Sequence, residues 1–185
     1  MGSANAMPPL VWIDMEMSGL DPKKCHILEI ATIVTDGDLN VIAEGPELVV
    51  HQPDAVLDAM DKWCTDHHGA SGLTQAVKDS KVSVEEAEAQ TLAFLKQHCA
   101  AGKSPLCGNS VWQDRRFIID YMPELDQFLH YRIVDVSSIK ELGRRWYPNM
   151  TSPRKRESHR ALDDILESIA ELRHYRNTLF VPTND

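Results

Sequence analysis

Residues 10–20 read LVWIDMEMSGL, and this stretch decides the fold and the chemistry that the sequence predicts. The apolar and partly β-branched residues before Asp14 favour a β-strand. Side chains two residues apart point to the same face of a strand. Asp14 and Glu16 are therefore directed together from the end of an apolar strand.

Two carboxylates held this close repel each other, by about 4 kcal/mol at about 4 Å and an effective dielectric constant of about 20. A divalent cation shared by Asp14 and Glu16 removes that repulsion, and hard oxygen ligands suit Mg²⁺ or Mn²⁺. The alternative, for an acid pair considered alone, is a strand that runs into a solvated acidic turn.

The sequence around this strand predicts a mixed α/β domain. Residues 27–35, ILEIATIVT, form the continuous β-branched run that is typical of a buried strand. Residues 40–43 and 47–51 extend it into a meander, and strands followed by alternating helices predict one mixed sheet flanked by helices. Two short strands are predicted after the meander, at residues 105–108 and 132–136. The helices are predicted from helical spacing over residues 56–63, from Ser83 as a cap to about residue 99, over 114–121, from Ser137 as a cap to about 146, and over 159–176.

The length of 185 residues predicts one domain. Residues 1–6 are small and polar and resemble an expression remnant, which leaves residues 7–180 as the domain and 181–185 as a C-terminal tail. No apolar run approaches the roughly 20 residues of a membrane span, so no membrane association is expected. No segment resembles a secretory signal, so the cytoplasm is the expected location. The four cysteines have no C-x-x-C spacing, and we expect reduced thiols.

The formal net charge of −9 argues against a protein that coats long nucleic acids, because such proteins are usually basic. It is compatible with a short nucleic acid held at a metal site, since metal ions reverse the local charge. The basic runs at residues 115–116, 144–145 and 154–156 are solvated faces or local binding patches. The polar segment 147–158 is expected to be a loop, and whether it closes over a substrate stays open.

Two more segments place acids at the ends of predicted elements: GNSVWQDRRF at residues 108–117 and HRALDD at 159–164. An acid in a first helical turn also balances the helix dipole, and a single histidine is often structural. Together, however, three acidic segments and His159 supply what two-metal phosphodiester hydrolysis requires. A histidine can accept the proton of an attacking water because its ordinary pKa of about 6.5 lies near neutral pH.

The order Asp-x-Glu, Asp, His-x-x-x-x-Asp resembles the DEDD exonucleases of the histidine subclass, which have an RNase H-like fold. The flanking text WIDMEMSGLDP, ILEIATIVTD, GNSVWQDRRFI and HRALDDILESI is similar to the oligoribonuclease family, and the likeness covers residues 10–176. The resemblance implies 3′-to-5′ hydrolysis of short oligoribonucleotides and dinucleotides to 5′-mononucleotides, carried out by a homodimer with two divalent cations, Mg²⁺ or Mn²⁺.

The same resemblance implies a role for each acid. Asp14, Glu16, Asp114 and Asp164 would bind the metals, and His159 would be the general base. A helix-face count from His159 favours Asp163 instead of its neighbour Asp164. The family spacing favours Asp164, which also lies nearer the apolar stripe of the last helix, and we predict Asp164.

The resemblance also implies a set of substrate-binding side chains. Leu20 would insert between two bases and Trp63 would stack on one. Each of them also fits a core position, and Arg132 also fits an exposed strand end. The tyrosine at position 131 is commonly grouped with the active residues of the family. Tyr131 and Arg132 would reach into the site from a partner subunit. The residues expected near the phosphates are His68, Ser110, Tyr131, Arg132 and Ser137.

Two positions depart from the family pattern. Ser18 stands where threonine is usual, and Trp112 where a small residue is common.

The sequence is also compatible with two other functions. A proofreading-type or general single-strand DNA exonuclease of the same superfamily would degrade long strands efficiently, and a catalytically silent nucleic-acid-binding module would release no mononucleotides.

Overall fold

The computed structural model describes residues 7–153 and 160–181, and within these ranges a five-stranded sheet has the order β3-β2-β1-β4-β5. The first three strands are antiparallel to one another, and β4 and β5 run parallel to β1. The predicted mixed sheet with flanking helices is therefore confirmed. The strands are β1 Leu10–Met17, β2 Ile27–Thr35, β3 Val41–Val49, β4 Leu106–Gly108 and β5 Ile133–Asp135.

Helices cover both faces of the sheet, because β1 and β2 are apolar on both sides. Alternate residues of β1 enter two separate cores: Val11, Ile13 and Met15 pack on one face, and Trp12 on the other. Asp14 and Glu16 share the parity of Trp12, so they point to the second face. On the first face pack α4 Val84–His98, α5 Trp112–Tyr121 and α6 Pro123–Phe128; on the second pack α7 Val136–Trp146 and α8 Ala161–Leu179.

A smaller apolar cluster lies beside β2. Leu28 of β2 clusters with Leu57 of the short helix α1 Asp54–Asp58 and with Leu73 and Val77 of α3 Leu73–Asp79. Between these two helices lies α2 Lys62–Ala70. The predicted helical spacing over 56–63 thus spans two helices, since a new helix begins after Asp61, whose side chain accepts from the Cys64 amide.

Several predicted boundaries differ from the structure. The two pieces predicted over residues 40–51 are one strand, β3, because an edge strand tolerates the Gly45-Pro46 pair within it. The helix predicted from a Ser137 cap is capped by Asp135, whose carboxylate accepts from the Ser137 amide at 2.9 Å. The Ser83 cap is confirmed by its bond from the Glu86 amide. The predicted start of the last helix at His159 lies outside the described residues.

All four cysteines lie among the described residues and are free. None of the helices in the described part of the chain is both long enough and apolar enough to cross a bilayer.

Candidate active site

Three carboxylates from distant parts of the chain meet at the carboxyl end of β1. Asp14 and Glu16 come from β1, and Asp164 comes from the first turn of α8, which packs on β1 and β2. One carboxylate oxygen of each lies within 4.8 Å of the others, and all three residues are half-buried. The strand period aims the first two at the face that α8 covers, so the packing of α8 completes the cluster.

The fourth predicted acid lies beside this cluster, on the other face of the strand. Asp114 is buried in the first turn of α5, and its Oδ1 accepts a hydrogen bond of 3.1 Å from the Met15 backbone amide. Met15 lies between Asp14 and Glu16, so Asp114 is fixed next to both. Its charge also contributes to the electrostatic potential at Glu16.

The electrostatics of these acids favour the binding of a positive charge. Burial, and then the nearby Asp164, raises the pKa of Glu16 from 4.5 to about 8. Burial likewise raises the pKa of Asp114 from 3.8 to about 8, although backbone amides oppose the shift. Burial and the neighbouring acids thus disfavour the ionised form of both groups. A divalent cation would stabilise the ionised carboxylates. Carboxylate oxygens are hard ligands, which fit cations such as Mg²⁺ or Mn²⁺.

A buried ion pair holds the start of α8 against the sheet. Glu29 of β2 has a fully buried side chain and stands opposite Glu16 in the β1–β2 register. Its carboxylate accepts from Arg160 Nε at 2.9 Å, from Arg160 Nη2 at 2.6 Å and from the Ala161 amide at 3.0 Å. Because Asp164 follows within one turn, this pair fixes the position of its carboxylate.

The neighbouring acids at the start of α8 have different surroundings. Asp163 is exposed, whereas Asp164 joins the cluster with Asp14 and Glu16. This geometry supports Asp164 as the metal ligand. The predicted general base, His159, and the basic run at residues 154–156 lie outside the described residues.

A pocket of about 400 Å³ adjoins the acid cluster. Glu16, Leu20, Trp63 and His68 contribute to its lining. The side chains of Leu20 and Trp63 are 70% and 54% exposed, so the alternative that they are core residues is wrong. The indole of Trp63 stacks on His67 at 4.0 Å between ring centroids, and the Trp63 side chain lines the pocket.

His68 is buried in the wall of this pocket. Its Nε2 donates to the Met17 carbonyl oxygen at 2.9 Å, and its Nδ1 lies 3.8 Å from a carboxylate oxygen of Glu16. The ring therefore lies beside the acid cluster, next to Glu16.

Ser110 and Ser137 form a second polar surface, at the carboxyl ends of β4 and β5. Their hydroxyl oxygens are 3.1 Å apart, and the Ser110 amide donates to Ser137 Oγ and to Asp135 Oδ1, each at 3.0 Å. Ser110 has φ of 50°, a left-handed conformation that costs free energy in a residue with a side chain. Asn109 stabilises it, because its side chain bonds Ser137, Ser168 and the buried Glu171.

Tyr131 and Arg132 are exposed and lie just before β5, with β4 between that strand and β1. The Arg132 Nε donates to the Tyr131 hydroxyl at 3.2 Å, and its guanidinium lies 5.4 Å from the ring centroid. The two side chains thus form one cationic, aromatic unit at the surface. Their entry into the site of a partner subunit stays a prediction.

The chain is similar to known exonucleases over most of its length. Residues 11–172 match the RNase_T exonuclease family. The oligoribonuclease of Marinobacter nauticus is 59% identical over 172 residues, which cover 92% of this chain and 96% of that protein. The human mitochondrial oligoribonuclease is 54% identical over 173 residues, covering 92% and 73%. This chain belongs to the oligoribonuclease family.

Solved structures extend the relationship to the fold of larger exonucleases. The zinc-bound Escherichia coli exonuclease I in complex with single-stranded DNA gives a TM-score of 0.72 at 16% identity. The Methylocaldum szegediense exonuclease I gives 0.68 at 19% identity. The match covers 94% and 93% of this chain but only 41% of each of those chains. It confirms the RNase H-like fold that the oligoribonuclease resemblance implied.

Sequence reasoning missed three residues that position this oligoribonuclease-family site. Glu29 interrupts the apolar run of residues 27–35, and a single acid in a buried strand is a signal that could have revealed it. Arg160 and Asn109 carry no such local signal, because their importance depends on contacts with residues distant in the chain.

Proposed function

We propose that this chain hydrolyses short oligoribonucleotides, down to dinucleotides, from the 3′ end and releases 5′-mononucleotides. The observation that carries the proposal is the acid cluster of Asp14, Glu16 and Asp164 beside a pocket bounded by exposed Leu20 and Trp63. The pocket is suited to nucleobases, because a base stacks on an aromatic side chain with about 1–3 kcal/mol. The oligoribonuclease names of relatives above 50% identity agree with this substrate class.

Two divalent cations, Mg²⁺ or Mn²⁺, are part of the proposal. Asp14, Glu16 and Asp164 would hold them with the support of Asp114. Cations bound in such a site supply a nucleophile from water near neutral pH and stabilise charge on the attacking and leaving oxygens. The raised pKa values of Glu16 and Asp114 support the proposal, because a bound cation would offset the free-energy cost of ionising these buried groups.

The remaining residues would bind and orient the substrate. Leu20 would separate two bases and Trp63 would stack on one of them. The fixed hydroxyls of Ser110 and Ser137 would donate to phosphate oxygens. His68 would hold Glu16 in place, and His159 would take the proton of the attacking water.

A homodimer in the cytoplasm completes the proposal. In one chain, Tyr131 and Arg132 form an exposed unit before β5, which is available to enter the site of a second copy. A tyrosine hydroxyl and a guanidinium are suited to a substrate phosphate. The negative net charge of −9 also agrees with short substrates, which need few phosphate contacts far from the metal site.

A substrate-length series tests this function. Purified protein with Mg²⁺ is given RNA from two to about 20 nucleotides and a DNA strand of about 20 nucleotides, and mononucleotide release is measured. We expect the highest kcat/KM for the dinucleotide. Efficient degradation of the long DNA would instead support the proofreading-type exonuclease, and release from no substrate would support the silent binding module. Asp163→Asn, at an exposed acid, is the matched control for Asp164→Asn.

A further inference from the structure

The segment that carries Leu20 is held by helix α5. Residues 18–26 connect β1 to β2. At the far end of this segment, the hydroxyl of Tyr121, the last residue of α5, lies within hydrogen-bond distance of two backbone carbonyl oxygens, those of Pro22 at 3.0 Å and Cys25 at 2.8 Å. The near end, at Leu20, is held by the first turns of the same helix.

Two side chains of α5 donate to the carbonyl oxygen of Leu20. Gln113 Nε2 donates to it, and Arg116 Nη1 donates to it at 3.3 Å. Arg116 Nη1 also donates to Gln113 Oε1 at 2.9 Å. A guanidinium has donors and no acceptor, so Arg116 can face only the oxygen of the Gln113 amide. The nitrogen of that amide is thereby directed at the Leu20 carbonyl.

Gln113 lies between the acid site and the Leu20 segment. It is only 9% exposed, and it directly precedes Asp114, whose carboxylate accepts from the Met15 amide of β1. One helical turn therefore contacts both the strand that carries Asp14 and the segment that carries Leu20. The Leu20 side chain is 70% exposed at the pocket beside the acids. Because an exposed side chain has few packing contacts to fix it, the position of Leu20 depends on its backbone hydrogen bonds.

We propose that Gln113 is a positioning residue, which holds Leu20 at a fixed place relative to the acid cluster. Gln113 contacts no substrate itself and acts through the Leu20 backbone, and Arg116 sets the orientation of its amide. This inference rests on the proposed function, in which Leu20 contacts the bases. A segment that is already ordered does not have to be ordered at the expense of binding free energy. A dinucleotide benefits most, because it offers few other contacts.

The first test replaces the glutamine with a side chain of similar length that cannot hydrogen-bond. We expect Gln113→Met to raise KM for a diribonucleotide by about 3- to 10-fold, which corresponds to the loss of one hydrogen bond. The kcat value stays within about twofold, because Leu20 would contact bases and not the reacting phosphate. The Mg²⁺ concentration that gives half the maximal rate is unchanged, since Asp114 keeps its bond from Met15. The control is Gln97→Met, at an exposed glutamine of α4, which changes none of these values.

A double-mutant cycle shows whether Gln113 acts through Leu20. Leu20→Ala removes the side chain that Gln113 positions, and it raises KM by itself. In that background, Gln113→Met raises KM by less than about twofold further, because the side chain to be positioned is already absent. If Gln113→Met does not fold, Arg116→Met is used in the same cycle, since Arg116 is only half-buried. It gives a smaller rise in KM, which also disappears in the Leu20→Ala background.

Four results would overturn the inference: an unchanged KM in Gln113→Met, an unchanged KM in Leu20→Ala, an equal rise in KM with and without the Leu20 side chain, or a shifted Mg²⁺ requirement, which would place the effect at Asp114. If the wild type hydrolyses dinucleotides and Gln113→Met does so equally well, only the role of Gln113 is refuted and the proposed function stands. A wild-type protein inactive on dinucleotides would overturn both.

Discussion

Replacing Arg160 with methionine removes the partner of a fully buried carboxylate. The Glu29 side chain is 0% exposed and accepts from Arg160 at 2.6–3.1 Å through both Nε and Nη2. Methionine keeps the length and apolar character of the stem but has no charge and no donor. In the variant, Glu29 keeps its bond from the Ala161 amide but loses the guanidinium that balances its charge.

The expected loss of stability follows from the burial of this pair. Removing one partner of a buried ion pair costs about 3–5 kcal/mol. The Arg160 side chain is 33% exposed, so water reaches part of the gap and we expect the lower end, about 3 kcal/mol. For a chain of 185 residues this lowers the melting temperature by about 6–12 °C. Thermal unfolding of wild type and Arg160→Met, followed by circular dichroism, measures the difference.

A double variant separates the loss of the charge pair from the loss of packing. Glu29→Met combined with Arg160→Met removes both charges, and we expect it to melt above Arg160→Met alone, because no unpaired carboxylate remains buried. A single variant within about 2 °C of wild type would refute this reasoning. So would a double variant less stable than the single one.

Three further predictions concern the acids and the edge strand. In the metal-free protein, the free energy of unfolding falls as the pH rises from 4.5 to about 8, because the unfolded chain releases the Glu16 proton near 4.5 and the folded chain keeps it until about 8. Thermal melts across this pH range measure the direction of the change, and a melting temperature independent of pH would contradict the prediction. Asp164→Ala abolishes mononucleotide release and Asp163→Ala does not; the reverse pattern would assign the metal ligand to Asp163. Gly45→Ala lowers the free energy of unfolding by about 1–3 kcal/mol, because the new Cβ would lie 2.6 Å from the Phe94 ring. Denaturant titration measures the loss, and Gly37→Ala, whose Cβ would have no atom within 4 Å, is the control.

Local periodicity accounts for what the sequence could predict. The two-residue strand period placed Asp14 and Glu16 on one side of β1, and the apolar run of β2 indicated its burial on both faces. The prediction that Asp164 joins Asp14 and Glu16 depended on the family resemblance, because the sequence around α8 does not indicate which strand this helix packs on. Its packing on β1 and β2 depends on both cores forming together.

The details that sequence reasoning missed are contacts between distant residues. Asp135 caps α7 instead of Ser137 because the short β5 strand ends one residue earlier than predicted. The pairing of Arg160 with Glu29 joins residues 131 positions apart, and no local pattern reports it. For Leu20 and Trp63 the family resemblance implied contact with bases while a core position stayed the alternative, and the structure exposes both beside the acids.

The most direct measurement of the central claim is the rate of mononucleotide release from a dinucleotide as Mg²⁺ is added to chelator-treated protein. We expect no release without the metal, a saturable rise with free Mg²⁺ in the wild type, and no comparable rise in Asp14→Asn. Full release in the presence of chelator, or in Asp14→Asn, would contradict a reaction that depends on metal ions held by these acids.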